Sequence, residues 1–310
     1  MRKILRFFTR LTTFIILMST GVMITSYNAY AKLSVFTCEP EWQSLAKEIG
    51  GDRIRTFSAT TAKQDPHHIE PRPSLIAKLR RADLLICSGA GLEEGWLPVL
   101  IRRSRNRAVQ PGSPGYLMAA DQVPLLEIPK RLDRSEGDIH AQGNPHLHLS
   151  PRNIYRLAEI LSLRMARIDP ENVDFYKANR NDFLHRWSTA TSSWAKRASS
   201  LQGRSVVVHH QEWIYLLNWL GMRRIATLEP KPGIPPTAGH LAGLTGLLKT
   251  QPVLAIIRAP TNNPRPSKWL AGKTAIPTVM LPYTVGGTDT AVDLFALFEE
   301  TVHRLVELIR

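Results

Sequence analysis

The chain is poor in cysteine, poor in acid relative to base, and nearly devoid of long apolar runs. Its two cysteines, Cys38 and Cys87, have no second Cys or His close by in sequence, which argues against a thiolate metal site. Both close expected strands, so they either bridge, if those strands are neighbours, or stay as two free thiols. Neither a His-Glu-x-x-His helix nor a Gly-x-Ser-x-Gly elbow occurs, which removes two common signs of a hydrolase. Past the first two dozen residues, no apolar stretch approaches the roughly 20 residues of a membrane span.

The one apolar run lies at the start. A basic opening with Arg2, Lys3, Arg6 and Arg10 precedes residues 11–24 and then Ala29-Tyr30-Ala31. That is the pattern of an export signal cleaved after Ala31. At about 14 residues the run is too short to anchor the chain, so a soluble, periplasmic mature chain is expected. Forty basic against 26 acidic residues give a net charge of +14, which falls to +10 when residues 1–31 leave with four bases and no acid. The bases are scattered, with no dense run and no aromatic-interleaved motif, so nucleic acid is not the expected partner.

Some 280 mature residues suffice for two domains. Strands are expected at 33–38, 53–59 and 83–87, with helices at 42–49, 74–81 and 92–103, leading to the short apolar run 123–128. The second half repeats the alternation, with strands at 205–209, 224–228, 253–257 and 278–281 and helices at 212–220, 238–249, 268–271 and 291–309. Each half then offers about four strands, which implies an α/β fold of two mainly parallel sheets flanked by helices. Between them, Asp169, Pro170 and Glu171 open a helix whose apolar positions Val173, Tyr176, Phe183, Trp187, Ala190, Trp194 and Leu201 recur at helical spacing until Gly203. About 30 residues of helix would be roughly 45–50 Å long, a rigid strut joining two lobes. The expected division is 1–31 signal, 32–168 first lobe, 169–203 linking helix and 204–310 second lobe.

The histidines come in three clusters: Asp65-Pro66-His67-His68, Asn144-Pro145-His146-Leu147-His148 and His209-His210. Each sits in a loop near the end of an expected element, where open α/β sheets bind ligands. Three imidazoles brought from distant parts of a chain suit zinc rather than calcium or magnesium. Neighbouring side chains on extended backbone point to opposite faces, so one histidine of each adjacent pair is the ligand, whereas His146 and His148 share a face. His140 is either an auxiliary collector of metal or part of a solvated loop. His185, His240 and His303 fall on expected helices and read as structural.

These residues carry a family resemblance. Asp65-Pro66-His67 with Pro73-Ser74 behind it, then Ala82-Asp83-Leu84-Leu85 and Gly91-Leu92-Glu93, resemble the signature of periplasmic zinc and manganese substrate-binding proteins of ABC transporters. The likeness continues at Asn144-Pro145-His146, at His210 with Trp213 and Leu220-Gly221, and at Glu229-Pro230-Lys231-Pro232-Gly233. It covers essentially the whole mature chain. It implies two α/β lobes joined by a long helix, a metal ion between them held by His67, His146 and His210, and delivery to a membrane permease by a monomer. One departure stands out. The family's fourth ligand is an acid after a late strand, whereas here that stretch reads Leu281-Pro282-Tyr283-Thr284-Val285-Gly286-Gly287-Thr288-Asp289; Asp289, Glu70 or water are the candidates. Asp65 and Glu70 are the acids expected to orient His67.

The reading is therefore a non-enzymatic carrier of Zn2+, with Mn2+ less suited because manganese sites add carboxylates. Two rivals use the same features. An exported zinc hydrolase would keep an open position for water, and a haem or siderophore carrier would need a large apolar cleft.

Overall fold

The computed structural model describes residues 32–130, 137 and 140–309; the expected signal at 1–31 and the stretches 131–136 and 138–139 lie outside the described residues. From Lys32 onward the chain forms one compact unit.

The first sheet contains β1 (Leu33–Thr37), β2 (Ile54–Ser58), β3 (Leu84–Cys87) and β4 (Tyr116–Met118), in the order β2-β1-β3-β4 and all parallel. The second contains β5 (Ser205–Val208), β6 (Arg223–Thr227), β7 (Ile256–Arg258) and β8 (Thr278–Met280), with the same order β6-β5-β7-β8. Central strands such as Leu84-Leu85-Ile86-Cys87 are apolar throughout and wholly buried, because helices cover both faces. Those helices are α1 (Pro40–Gly50), α2 (Pro73–Leu79), α3 (Leu97–Ser104), α4 (Pro151–Ile168), α5 (Val173–Arg197), α6 (Ile214–Leu220), α7 (Ala238–Leu247), α8 (Pro264–Thr274) and α9 (Leu294–Glu307).

The structure departs from the expected fourth strand of the first half. Residues 123–128 form no strand, and Tyr116–Met118 takes the edge position beside β3 instead. The run 123–128 contains Pro124 and is followed by Pro129, and a proline has no N–H for a ladder.

The linking helix is also shorter than the pattern predicts. Asp169 caps a 3-10 turn, Pro170–Asn172, and its carboxylate accepts from the Tyr176 hydroxyl (2.6 Å) and the Asn172 amide (2.8 Å). The α-helix proper is 25 residues, about 37 Å, and ends in a second 3-10 turn at Ser199–Leu201. Val173 at its start is exposed, while Tyr176, Phe183, Trp187 and Trp194 are buried.

That helix is bolted to both halves. Arg186 pairs with Glu48 of α1 at 2.6 Å, Arg197 pairs with Glu299 of α9 at 2.7 Å, and the Trp194 indole donates to Glu299 at 2.9 Å. Between these ties Phe183, Trp187, Trp194, Phe295 and Phe298 pack ring against ring. One hydrophobic cluster runs from Leu33 and Trp42 through the linking helix to Val206, Ile257 and Leu305, so the two sheets share a core.

Candidate metal centre

His67 lies in the loop after β2, His146 in the turn before α4, and His210 two residues after β5. The structure brings one ring nitrogen from each within 4.8 Å of the other two. Ring centroids are 5.7 Å apart for His67 and His146, 5.9 Å for His67 and His210, and 5.6 Å for His146 and His210. They line a cleft of about 290 Å³ together with Asp65, Glu212, Glu229, Asn262 and Tyr283.

Both Asx-Pro-His segments work as the same device. Asp65 Oδ1 accepts from the His67 amide (3.0 Å) and lies 2.7 Å from His67 Nδ1. Asn144 Oδ1 accepts from the His146 amide (3.0 Å) and lies 2.9 Å from His146 Nδ1. The intervening proline restricts the backbone, so a short side chain two residues upstream fixes both the loop and the ring. Since an oxygen acceptor calls for the proton on Nδ1, the outer nitrogen Nε2 is left with a free lone pair. The Trp96 indole, donating to Pro66 O at 2.8 Å, holds the first loop down.

His210 is held at Nδ1 too, by a longer route. Its Nδ1 lies 2.7 Å from Glu229 Oε2, an acid just beyond β6. The opposite-face rule holds for one pair: His209 is buried away from the cleft lining, whereas the exposed His68 lines the cleft beside His67, because the loop that carries them is not extended strand.

A fourth ring lies beside the cluster. His140 Nε2 stands 3.3 Å from His67 Nε2, and the His140 ring is hydrogen-bonded to the backbone of Ala90. Two nitrogens of a tetrahedral zinc site with Zn–N of about 2.0–2.1 Å are separated by about 3.3 Å, a spacing that this pair matches and that a ring–ring hydrogen bond also has, while His140 stands outside the three rings that converge within 4.8 Å.

His148 goes elsewhere. It is fully buried, with Nε2 2.9 Å from Tyr283 O and Nδ1 3.2 Å from Glu41 Oε1; it ties the first half to the second. Neither Glu70 nor Asp289 lines the cleft, and both are exposed. Tyr283 stands where the late-strand acid was expected.

The electrostatics suit a cation. Burial first, then the neighbouring rings, push His146 well below the ordinary histidine value, and the same causes lower His140 to about 4. Burial opposes charge on His210 too, but Glu229 and Glu212 overcome it and raise the ring to about 9. Burial raises Asp65, yet its bonds to His67 win and bring it to about 2. Burial lifts Glu212 to about 7, and neither of its oxygens makes a well-formed hydrogen bond among the described residues. Sequence reasoning missed Glu212 and Tyr283, which carry no spacing signal, and quoted Glu229 without seeing its role.

A family model described as ZnuA, zinc-uptake complex component A, periplasmic, matches residues 35–308. The zinc-binding lipoprotein AdcA of Streptococcus pneumoniae is 24% identical over 232 residues, 74% of this chain and 45% of that protein. The manganese ABC transporter substrate-binding lipoprotein PsaA of Streptococcus pneumoniae is 29% identical over 168 residues, 53% of this chain and 51% of that protein. The chain spans about half the length of the curated relatives it matches. Among solved structures, a crystal structure of ZnuA is similar at a TM-score of 0.74 and 23% identity, covering 89% of this chain and all (100%) of that one. The Mn-bound periplasmic metal-binding protein of Candidatus Liberibacter asiaticus is similar at 0.74 and 17% identity, covering 90% of this chain and 100% of that one. At these identities the likeness establishes the fold.

Proposed function

Because this chain belongs to the family of the periplasmic zinc-uptake component, we propose that it is exported, captures a divalent transition metal, zinc, in the cleft between its sheets, and hands it to the permease of an ABC transporter. The observation that carries this reading is the convergence of the imidazoles of His67, His146 and His210, with every Nδ1 beside an oxygen acceptor and one ring nitrogen of each gathered within 4.8 Å of the others. His140 supplies the fourth donor. An all-imidazole set favours zinc over manganese, whose sites add carboxylates.

The same features favour a carrier over the rivals. A catalytic zinc keeps a position open for water, whereas here His140, 3.3 Å from His67, stands beside the three rings as a further donor. A haem or siderophore needs a wide apolar cavity, whereas this cleft is small and lined by His, Asp and Glu.

Titration calorimetry with zinc tests the assignment. His67→Ala, His146→Ala and His210→Ala each lose more than the roughly tenfold to hundredfold that removing an outer-shell partner costs, with unchanged far-ultraviolet circular dichroism. Wild-type affinity in all three variants refutes it.

A further inference from the structure

The surplus positive charge is scattered in sequence but not in space. Residues 73–82 and 97–116, which hold α2, α3 and the turns that follow them, contain Lys78, Arg80, Arg81, Arg102, Arg103, Arg105 and Arg107 and no acidic residue. All seven are exposed. Five of them, Arg80, Arg102, Arg103, Arg105 and Arg107, line two adjoining shallow grooves, the larger of about 710 Å³. None forms an ion pair among the described residues; Lys78 lies 5.3 Å over the Phe57 ring and Arg80 donates to Ser104 O. The acid next along the chain, Asp83, is engaged by the Ser34 amide at 2.8 Å.

Cations in the last turn of a helix complement its dipole, which accounts for Lys78, Arg102 and Arg103. It does not account for Arg81, Arg105 or Arg107, which lie beyond the helices. Five arginines without an ion pair among the described residues along adjoining grooves repel one another, and an anionic partner relieves that repulsion.

Interfaces between proteins are anchored by a central large aromatic or aliphatic side chain. Among the described residues, the exposed large apolar side chains are Ile128, Tyr155, Leu163, Val173, Ile234, Trp269 and Val292, and none lines these grooves. The grooves carry apolar strips, with Ile76 in one and Leu97, Pro98, Ile101 and Tyr116 in the other, rimmed by arginines. Shallow strips with a cationic rim suit a surface that is itself diffuse, anionic and laterally mobile. Guanidinium groups match phosphate oxygens in bidentate fashion.

We propose that the α2–α3 face docks on anionic phospholipid headgroups. In a parallel sheet the turns from helix to strand lie at the end where strands begin. Arg80 and Arg81 sit in the turn leading to β3, and Arg105 and Arg107 in the turn leading to β4. His67 and His210 lie past strand ends, at the opposite edge. Docking therefore leaves the metal cleft open, holding the carrier at a membrane surface and confining its search for a partner to two dimensions.

Vesicle co-sedimentation tests this with the whole protein. The protein is expected to sediment with phosphatidylcholine vesicles containing phosphatidylglycerol, not with phosphatidylcholine alone, and to be released as salt screens the contact. Replacing Arg102, Arg103, Arg105 and Arg107 together with Ser should weaken vesicle binding by at least about tenfold, since each such charge contributes about 1 kcal/mol at an anionic surface. A control removes the same charge elsewhere, with Ser at the exposed Lys249, Arg265, Lys268 and Lys273, and should bind vesicles nearly as well as the wild type. Both variants should keep wild-type zinc affinity, which also shows that they fold. Equal loss in the two variants, no preference for anionic vesicles, or retention by polyglutamate but not by vesicles would overturn the proposal.

Discussion

His67 and His146 are aimed by the residue two places before them, so the Asx-Pro-His triplet is a ligand mount readable in one dimension. His210 depends on Glu229, 19 residues away and on another strand, which no local pattern announces. That difference has a measurable consequence. Metal binds neutral imidazole, and the metal-free His210 titrates at about 9, above the ordinary 6.5. Below that value the ring carries a proton that the ion must displace, so zinc affinity should climb with pH up to it, by as much as about tenfold per unit. Calorimetry near neutrality, repeated in buffers of different ionisation enthalpy, should show about one proton released per zinc bound. In Glu229→Gln the ring loses its acid partner and the release near neutrality should shrink. A wild type that releases no proton would contradict the account of His210. His140 was legible only as an auxiliary collector of metal or a solvated loop residue, because it is 73 residues from His67 and only the fold brings the two rings together.

At the scale of elements, the strand ends place both the site and the disulfide. In β1 and β3, Thr37 pairs with Ile86, so the next residues on each strand face one another. Cys38 and Cys87 are joined, with Cα atoms 4.8 Å apart. The cysteines were legible as strand-end residues, but which strands neighbour one another was not, and the bridge turned on that. Closing a loop with a sequence separation of 49 is expected to contribute about 4 kcal/mol in the chain-entropy account. Cys38→Ser with Cys87→Ser should lower the unfolding free energy by that order, read as a fall in the denaturant midpoint, and leave zinc affinity near wild type, since neither sulfur lines the cleft. An unchanged midpoint would show that packing around β1 and β3 suffices. The misplaced fourth strand teaches the complementary point: apolar content in 123–128 suggested a strand, and proline chemistry decided against it.

For the whole molecule, the shared core sets the mechanics. The linking helix is tied to α1 through Glu48 and to α9 through Glu299. Further ties cross between the halves: His148 to Tyr283 O, Tyr215 to Asn144 O, and Thr284 to Glu41. Opening such a structure as a hinge means exposing part of a continuous apolar cluster, which costs roughly 25 cal/mol for each Å² uncovered. Metal capture is therefore expected to reorder the loops that carry His67, His140 and His146 while the lobes stay in place. Small-angle scattering should give the same radius of gyration with and without zinc, and a marked compaction would show that the lobes do move.

The sequence by itself determined the alternation of strand and helix, the apolar stripe of the linking helix, and the Asx-Pro-His mounts of His67 and His146, because periodicity and those mounts are local. Tertiary structure decided the Cys38–Cys87 bridge, the convergence of His210 on the other two rings and its orientation by Glu229, the approach of His140, the diversion of His148 into the core, and the gathering of five arginines along two adjoining grooves. Each of these joins residues far apart along the chain, and only the packing of elements brings such residues into contact.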